Sequence, residues 1–196
     1  MKSSLYDPAF ERDSCGFGLI ANLDDLPSHW VVETAISALA RLTHRGAVAA
    51  DGKTGDGCGL LIKFPEAFMR AVGDELGFSL GRRFAAGTVF LSQDAAVADE
   101  ARKAIDAAIV ETGLESAGWR EVPTDPSVCG EQALETLPRI EQVFVNAPEG
   151  MPRGRFNRRL FLARRKAEKR LGEGETYIAS LSSASISYKG MIMPSA

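Results

Sequence analysis

The chain has 196 residues, 45% hydrophobic and 25% charged, an ordinary composition for a single soluble globular domain. Its net charge of -3 argues against a polyanion partner, so no nucleic acid is expected as ligand. Cys15, Cys58 and Cys129 lie far apart with only His29 and His44 besides, which leaves no zinc-ligand spacing and fits a reducing compartment. No stretch approaches membrane-spanning length and residues 1–14 hold no apolar run, so the expected location is the cytoplasm, away from membranes.

Residues 11–18 read ERDSCGFG, a charged run followed by Cys15 set against Gly16 and Gly18. Residues 15–22 are short, apolar and bounded by Asn-Leu-Asp-Asp, which predicts a buried strand and then a turn. Ser28 stands where a helix cap would. Val32, Ala35, Ile36, Leu39 and Leu42 then recur at three- and four-residue spacing, predicting an amphipathic helix over 30–42. That helix is expected to end near His44-Arg45-Gly46, with Gly46 as its stop.

The stretch DGKTGDGCG (51–59) predicts a glycine-rich loop leading into a strand through Leu60, Leu61, Ile62 and Phe64. Pro65 opens a helix to about Leu76, in the first-turn position that proline tolerates. A strand is predicted over 84–91, then an alanine-rich helix over 95–110 with Val97, Ala101, Ile105 and Ile109 on one face. Strands are predicted at 119–122 and 140–146. Residues 153–171 form a basic helix with the apolar stripe Phe156, Leu160, Ala163, Ala167 and Leu171. Its cations read as a solvated face in preference to a docking surface. Residues 177–181 and 186–193 alternate as paired strands, and the second leaves a sheet edge with nothing to cover it. Strands at both ends, helices between them and no strict βαβ alternation predict α+β layers.

Cys15 carries two readings. As a core thiol it needs nothing further, and composition alone ranks that reading first. As a nucleophile it needs a base, because an unperturbed thiol with a pKa of about 8.5 is only slightly ionised at neutral pH. His29 and His44 are the histidine candidates, and His44 also suits the dipole at a helix end. Alternatively, cleavage between Ser14 and Cys15 would free an α-amine of pKa about 7.7–8.0 beside the thiol. Phosphate binding by the 51–59 loop is discounted, since it lacks the Gly-Lys-Ser/Thr ending and precedes a strand instead of a helix.

LYDPAFERDSCGFGLIA (5–21) and ALARLTHRGAVAADGKTGDGCGLLIKFP (38–65) resemble the start of glutamate synthase large subunits. Their amino-terminal domain is a type II glutamine amidotransferase of the N-terminal-nucleophile hydrolases. The resemblance continues through LPRIEQVFVNAP (137–148), RRLFLARRKAEKRL (158–171) and YKGMIMP (188–194), so it spans essentially the whole chain. It implies an incomplete four-layer αββα sandwich, with residues 1–14 as propeptide and 15–196 as the amino-terminal portion of a truncated amidotransferase domain.

The resemblance further implies that Cys15 is the nucleophile that converts L-glutamine to glutamate and ammonia through a γ-glutamyl thioester. Arg45 in the THRG motif, Gly16 and Asp56 are implied as active-site support, Arg45 with a donor fork that suits a carboxylate or carbonyl. Cys58 reads as a small buried filler. The family's Asn-Gly oxyanion pair falls beyond the point matching Pro194, and Asn22, Asn146 and Asn157 here precede Leu, Ala and Arg. The expectation is therefore a fragment without activity of its own, the alternative being an inert structural or binding module that keeps the fold. No cofactor is expected in this chain. FMN, an iron–sulfur cluster, downstream synthase domains and a reductase subunit or ferredoxin are implied for the parent protein.

Overall fold

A computed structural model describes residues 16–42 and 47–193. Among them the elements run α1 (His29–Ala40), β1 (Thr54–Lys63), α2 (Glu66–Glu75), β2 (Phe84–Leu91), α3 (Ala95–Glu111) and β3 (Glu115–Glu121). A 3-10 turn at Pro126–Val128 then leads to α4 (Glu131–Glu135), β4 (Arg139–Asn146), α5 (Arg153–Leu171), β5 (Tyr177–Ser182) and β6 (Ser185–Ile192). Every strand pairing is antiparallel, in a four-stranded sheet ordered β3-β4-β2-β5 and a two-stranded sheet of β1 and β6.

The strand β2 shows why these elements layer. Ala85, Val89 and Leu91 face the helices, whereas Phe84 and Ala86 face the small sheet. A strand buried on both faces carries an unbroken apolar run, as FAAGTVFL does. On the helix side, α3 contributes Ala98, Ala101, Ile105, Ala108 and Ile109, and α5 contributes Phe156, Leu160, Ala163 and Ala167. The alanines let the two helices approach closely over the sheet.

Across the other face, Phe144 of β4 meets Ile186 of β6 together with Met69 and Val72 of α2. Gln142, fully buried, donates from Nε2 to the Tyr188 hydroxyl at 3.2 Å and so links the two sheets through a satisfied polar contact. The helix α1 packs against β1 with no residue fully buried. The result is an α+β sandwich of helices, large sheet, small sheet and a further helix.

Several expectations are corrected here. Residues 16–22 form no strand, and Phe17 and Leu19 are exposed; no described strand offers their amides a neighbour. The turn after them is present, with the Asp25 amide donating to Asn22 O. Ser28 occupies the N-cap position of α1 without a side-chain cap bond. Residues 54–59 belong to β1 rather than to a loop. Val97 is exposed, and Ala98 and Ala108 complete the buried face of α3. The strands β5 and β6 do not pair with each other. β5 joins β2, and β6 joins β1. Ser182 Oγ accepts from the amides of Ala184 and Ser185 at 3.0 and 3.3 Å, so the connection is a corner between sheets.

Four cations on the basic face of α5 have carboxylate partners within the described residues. Arg164 and Arg165 reach Glu168, while Lys166 and Arg170 reach Glu111 on α3.

Candidate active site

The turn that enters β1 is held by one carboxylate. Asp51 Oδ1 accepts from the amides of Lys53 and Thr54 at 3.0 and 2.7 Å. Its Oδ2 accepts from the Thr54 hydroxyl at 2.5 Å and from the Gln132 amide at 3.2 Å. The Thr54 hydroxyl in turn accepts from the Ala133 amide at 3.2 Å. Donation by the Thr54 hydroxyl, then by the Thr54 and Lys53 amides, holds the Asp51 carboxyl well below the usual carboxylate range.

Beyond the turn, Ala49 N donates to Thr54 O at 2.9 Å, and Val48 forms a bridge with Gly55. Asp56 Oδ2 accepts from the Ala47 amide at 2.8 Å. These bonds lay residues 47–49 alongside 54–56. The β1–β6 ladder slips between Thr54 and Cys58, then runs regularly to Lys63. A Cβ at Gly59 would sit 2.6 Å from Tyr188 O, so the close approach of β6 requires glycine there. Cys58 is half-buried on the inward register, and burial pushes its thiol up, as suits an inert packing residue.

Of the residues singled out from the sequence, Cys15 and Arg45 lie outside the described residues, as do His44 and Gly46. Gly16 is the first described residue and is half-buried. Asp56 is exposed and bonds the backbone two positions after Arg45. The other histidine considered as a base, His29, lies on the first turn of α1 with Nδ1 3.3 Å from Glu33, its side chain 82% exposed. Two open concavities of about 730 and 470 Å³ are lined by no residue of 47–59.

Sequence reasoning missed Asp51, Thr54 and Gly130. Asp51 followed by Lys53 and Thr54 is legible as a side chain folding back on its own turn. Its reach to Gln132 is not, since the two lie 81 positions apart. No described group of three His, Cys, Asp or Glu side chains clusters to hold a metal ion.

The family model for class-II glutamine amidotransferases matches residues 15–196. The chain is 40% identical to the glutamate synthase [NADPH] large chain of Azospirillum brasilense over 196 residues, covering 97% of this chain and 13% of that protein. It is 38% identical to the corresponding large chain of Bacillus subtilis, with 97% and 13% covered. Against ferredoxin-dependent glutamate synthase 1 of Arabidopsis thaliana the identity is 37%, with 97% and 12% covered. The chain thus spans 12–13% of the length of these relatives.

Proposed function

The chain belongs to the class-II glutamine amidotransferases, and from that premise we propose that it supplies the nucleophile end of the glutaminase site of a glutamate synthase. The family match carries this reading, because it begins at Cys15, the residue a processed N-terminal nucleophile needs in first position.

In the proposed mechanism residues 1–14 are removed as propeptide, and the freed α-amine of Cys15 takes the thiol proton. The thiolate Sγ attacks the side-chain amide carbon of L-glutamine. As the tetrahedral intermediate collapses, the C–N bond breaks, the nitrogen takes the proton and ammonia leaves a γ-glutamyl thioester. Water then hydrolyses the thioester to glutamate and regenerates the thiol. Arg45 holds a carboxylate or carbonyl with its fork of donors, Gly16 keeps the backbone beside Sγ uncrowded, and Asp56 fixes the chain just past Arg45 through the Ala47 amide.

The 196 residues contain no Asn-Gly pair to stabilise the oxyanion. Loss of one such donor costs about 100- to 1,000-fold in rate, so this segment by itself is expected to release no measurable ammonia. Glutamate synthesis on the ammonia, with FMN, an iron–sulfur cluster and a reductase subunit or ferredoxin, is proposed for the longer parent protein. Cys58 and Cys129 join no described metal-ligating group, so these residues do not fit an iron–sulfur cluster.

Replacing Cys15 by Ala in the full-length protein tests the reading. Glutamine hydrolysis should vanish while the fold persists; hydrolysis at the original rate would overturn it. The wild-type kcat/KM should rise with pH through an apparent pKa of about 7.7–8.0, the α-amine losing its proton to become the base.

A further inference from the structure

The bonds around Asp51 are more numerous than a short helix calls for. With only five residues, α4 has little stability of its own for a cap to protect. Yet its Gln132 and Ala133 amides are both taken by side chains from the turn, 81 and 79 residues away. Gly130, ahead of them, lies directly against the turn. A Cβ added there would overlap the Asp51 carboxylate and the Thr54 hydroxyl and lie 2.5 Å from the Thr54 amide. Its own backbone is extended, with φ -80°, so close approach and not conformation demands glycine.

The turn passes this anchoring on. Thr54 is nearly buried, at 5% exposure, and opens β1; its carbonyl accepts from Ala49 N. Two residues later, Asp56 takes the Ala47 amide at 2.8 Å. A continuous run of hydrogen bonds therefore joins α4, Asp51, Thr54 and the 47–49 strand segment.

We propose that Asp51 is a positioning residue of the glutaminase site: with Thr54 it fastens the 51–54 turn to α4, and so fixes residues 47–49, which follow Arg45 in the sequence. This rests on the glutaminase reading given above. On that reading Arg45 serves glutamine binding, so loosening the 47–49 segment that follows it should weaken glutamine binding more than it slows chemistry. The fastening requires two acceptor oxygens on residue 51. An asparagine would point its NH2 group at the Thr54 hydroxyl and the Gln132 amide, both of which donate.

The test uses the full-length protein with Asp51→Asn, Thr54→Val and Thr54→Ser, read by hydrogen exchange over 47–56 and by glutamine kinetics. Asp51→Asn and Thr54→Val should speed exchange over that segment and raise KM for glutamine, each by about tenfold or more, with kcat within about threefold. Thr54→Ser keeps the hydroxyl and should restore both. Because the two Thr54 variants form a pair, the test survives if Asp51→Asn fails to fold. Unchanged exchange would show that the turn is not fastened this way. Faster exchange with wild-type KM would make the fastening merely structural. A Cys15→Ala variant that still hydrolyses glutamine would remove the glutaminase reading itself, and the exchange result would still report whether the turn is fastened.

Discussion

At Gly59 a single hydrogen in place of a methyl decides how closely β6 can approach β1. Gly59→Ala would set a Cβ 2.6 Å from Tyr188 O, against backbone that cannot rotate away. Overpacking of this kind costs about 1–3 kcal/mol, measurable as a lowered urea midpoint with little change in slope. Asp51 makes a pH-dependent contribution. Its folded carboxyl titrates below the unfolded one, so its stabilisation is complete above the ordinary carboxylate range and fades as the pH falls through the folded value. Asp51→Asn should therefore flatten the acid side of the stability–pH curve, as followed by thermal melts between pH 7 and pH 2. At this scale the sequence holds an unread signal for Asp51, whose spacing to Lys53 and Thr54 suits a side chain that bonds its own turn. It hides the tertiary half of the interaction, because nothing near Gly130 announces an acceptor on the far side of the chain.

At the scale of elements, α5 was legible to the residue. Its apolar positions keep helical spacing from Phe156 to Ala167, and burial follows that stripe. A sharp contrast follows on this one helix. Leu160→Ala, at a position 1% exposed, should cost about 2–5 kcal/mol in chemical denaturation. Leu162→Ala, at a position 43% exposed, should change stability by about 0.5 kcal/mol or less. The strands were harder to read. The alternation in 177–192 marks two strands but not their neighbours, and the Ser182 corner sends them to different sheets. The apolar run at 16–22 resembles a buried strand in composition alone. A strand also needs a ladder partner and a facing core, and those are properties of distant residues. On α3 the predicted Ala101, Ile105 and Ile109 are buried and only Val97 departs from the expected face: Asp94 caps the Ala96 and Val97 amides, and Ala98 rather than Val97 turns inward.

Across the whole molecule, the antiparallel sandwich places the turn before β1 at the margin of the small sheet, anchored to α4 on one side and to Ala49 on the other. The α+β architecture followed from the order of predicted elements, whereas the two-sheet arrangement came only with the resemblance. Family membership was legible through motifs rather than through geometry. ERDSCGFG, THRG and TGDGCG resemble class-II glutamine amidotransferases, and the family match over residues 15–196 agrees with them. The central claim is that Cys15 works as a first residue. Intact-mass and amino-terminal analysis of the full-length, glutamine-hydrolysing protein tests it most directly. The mature chain should begin at Cys15, with residues 1–14 absent. Active protein that retains Met1 would contradict it.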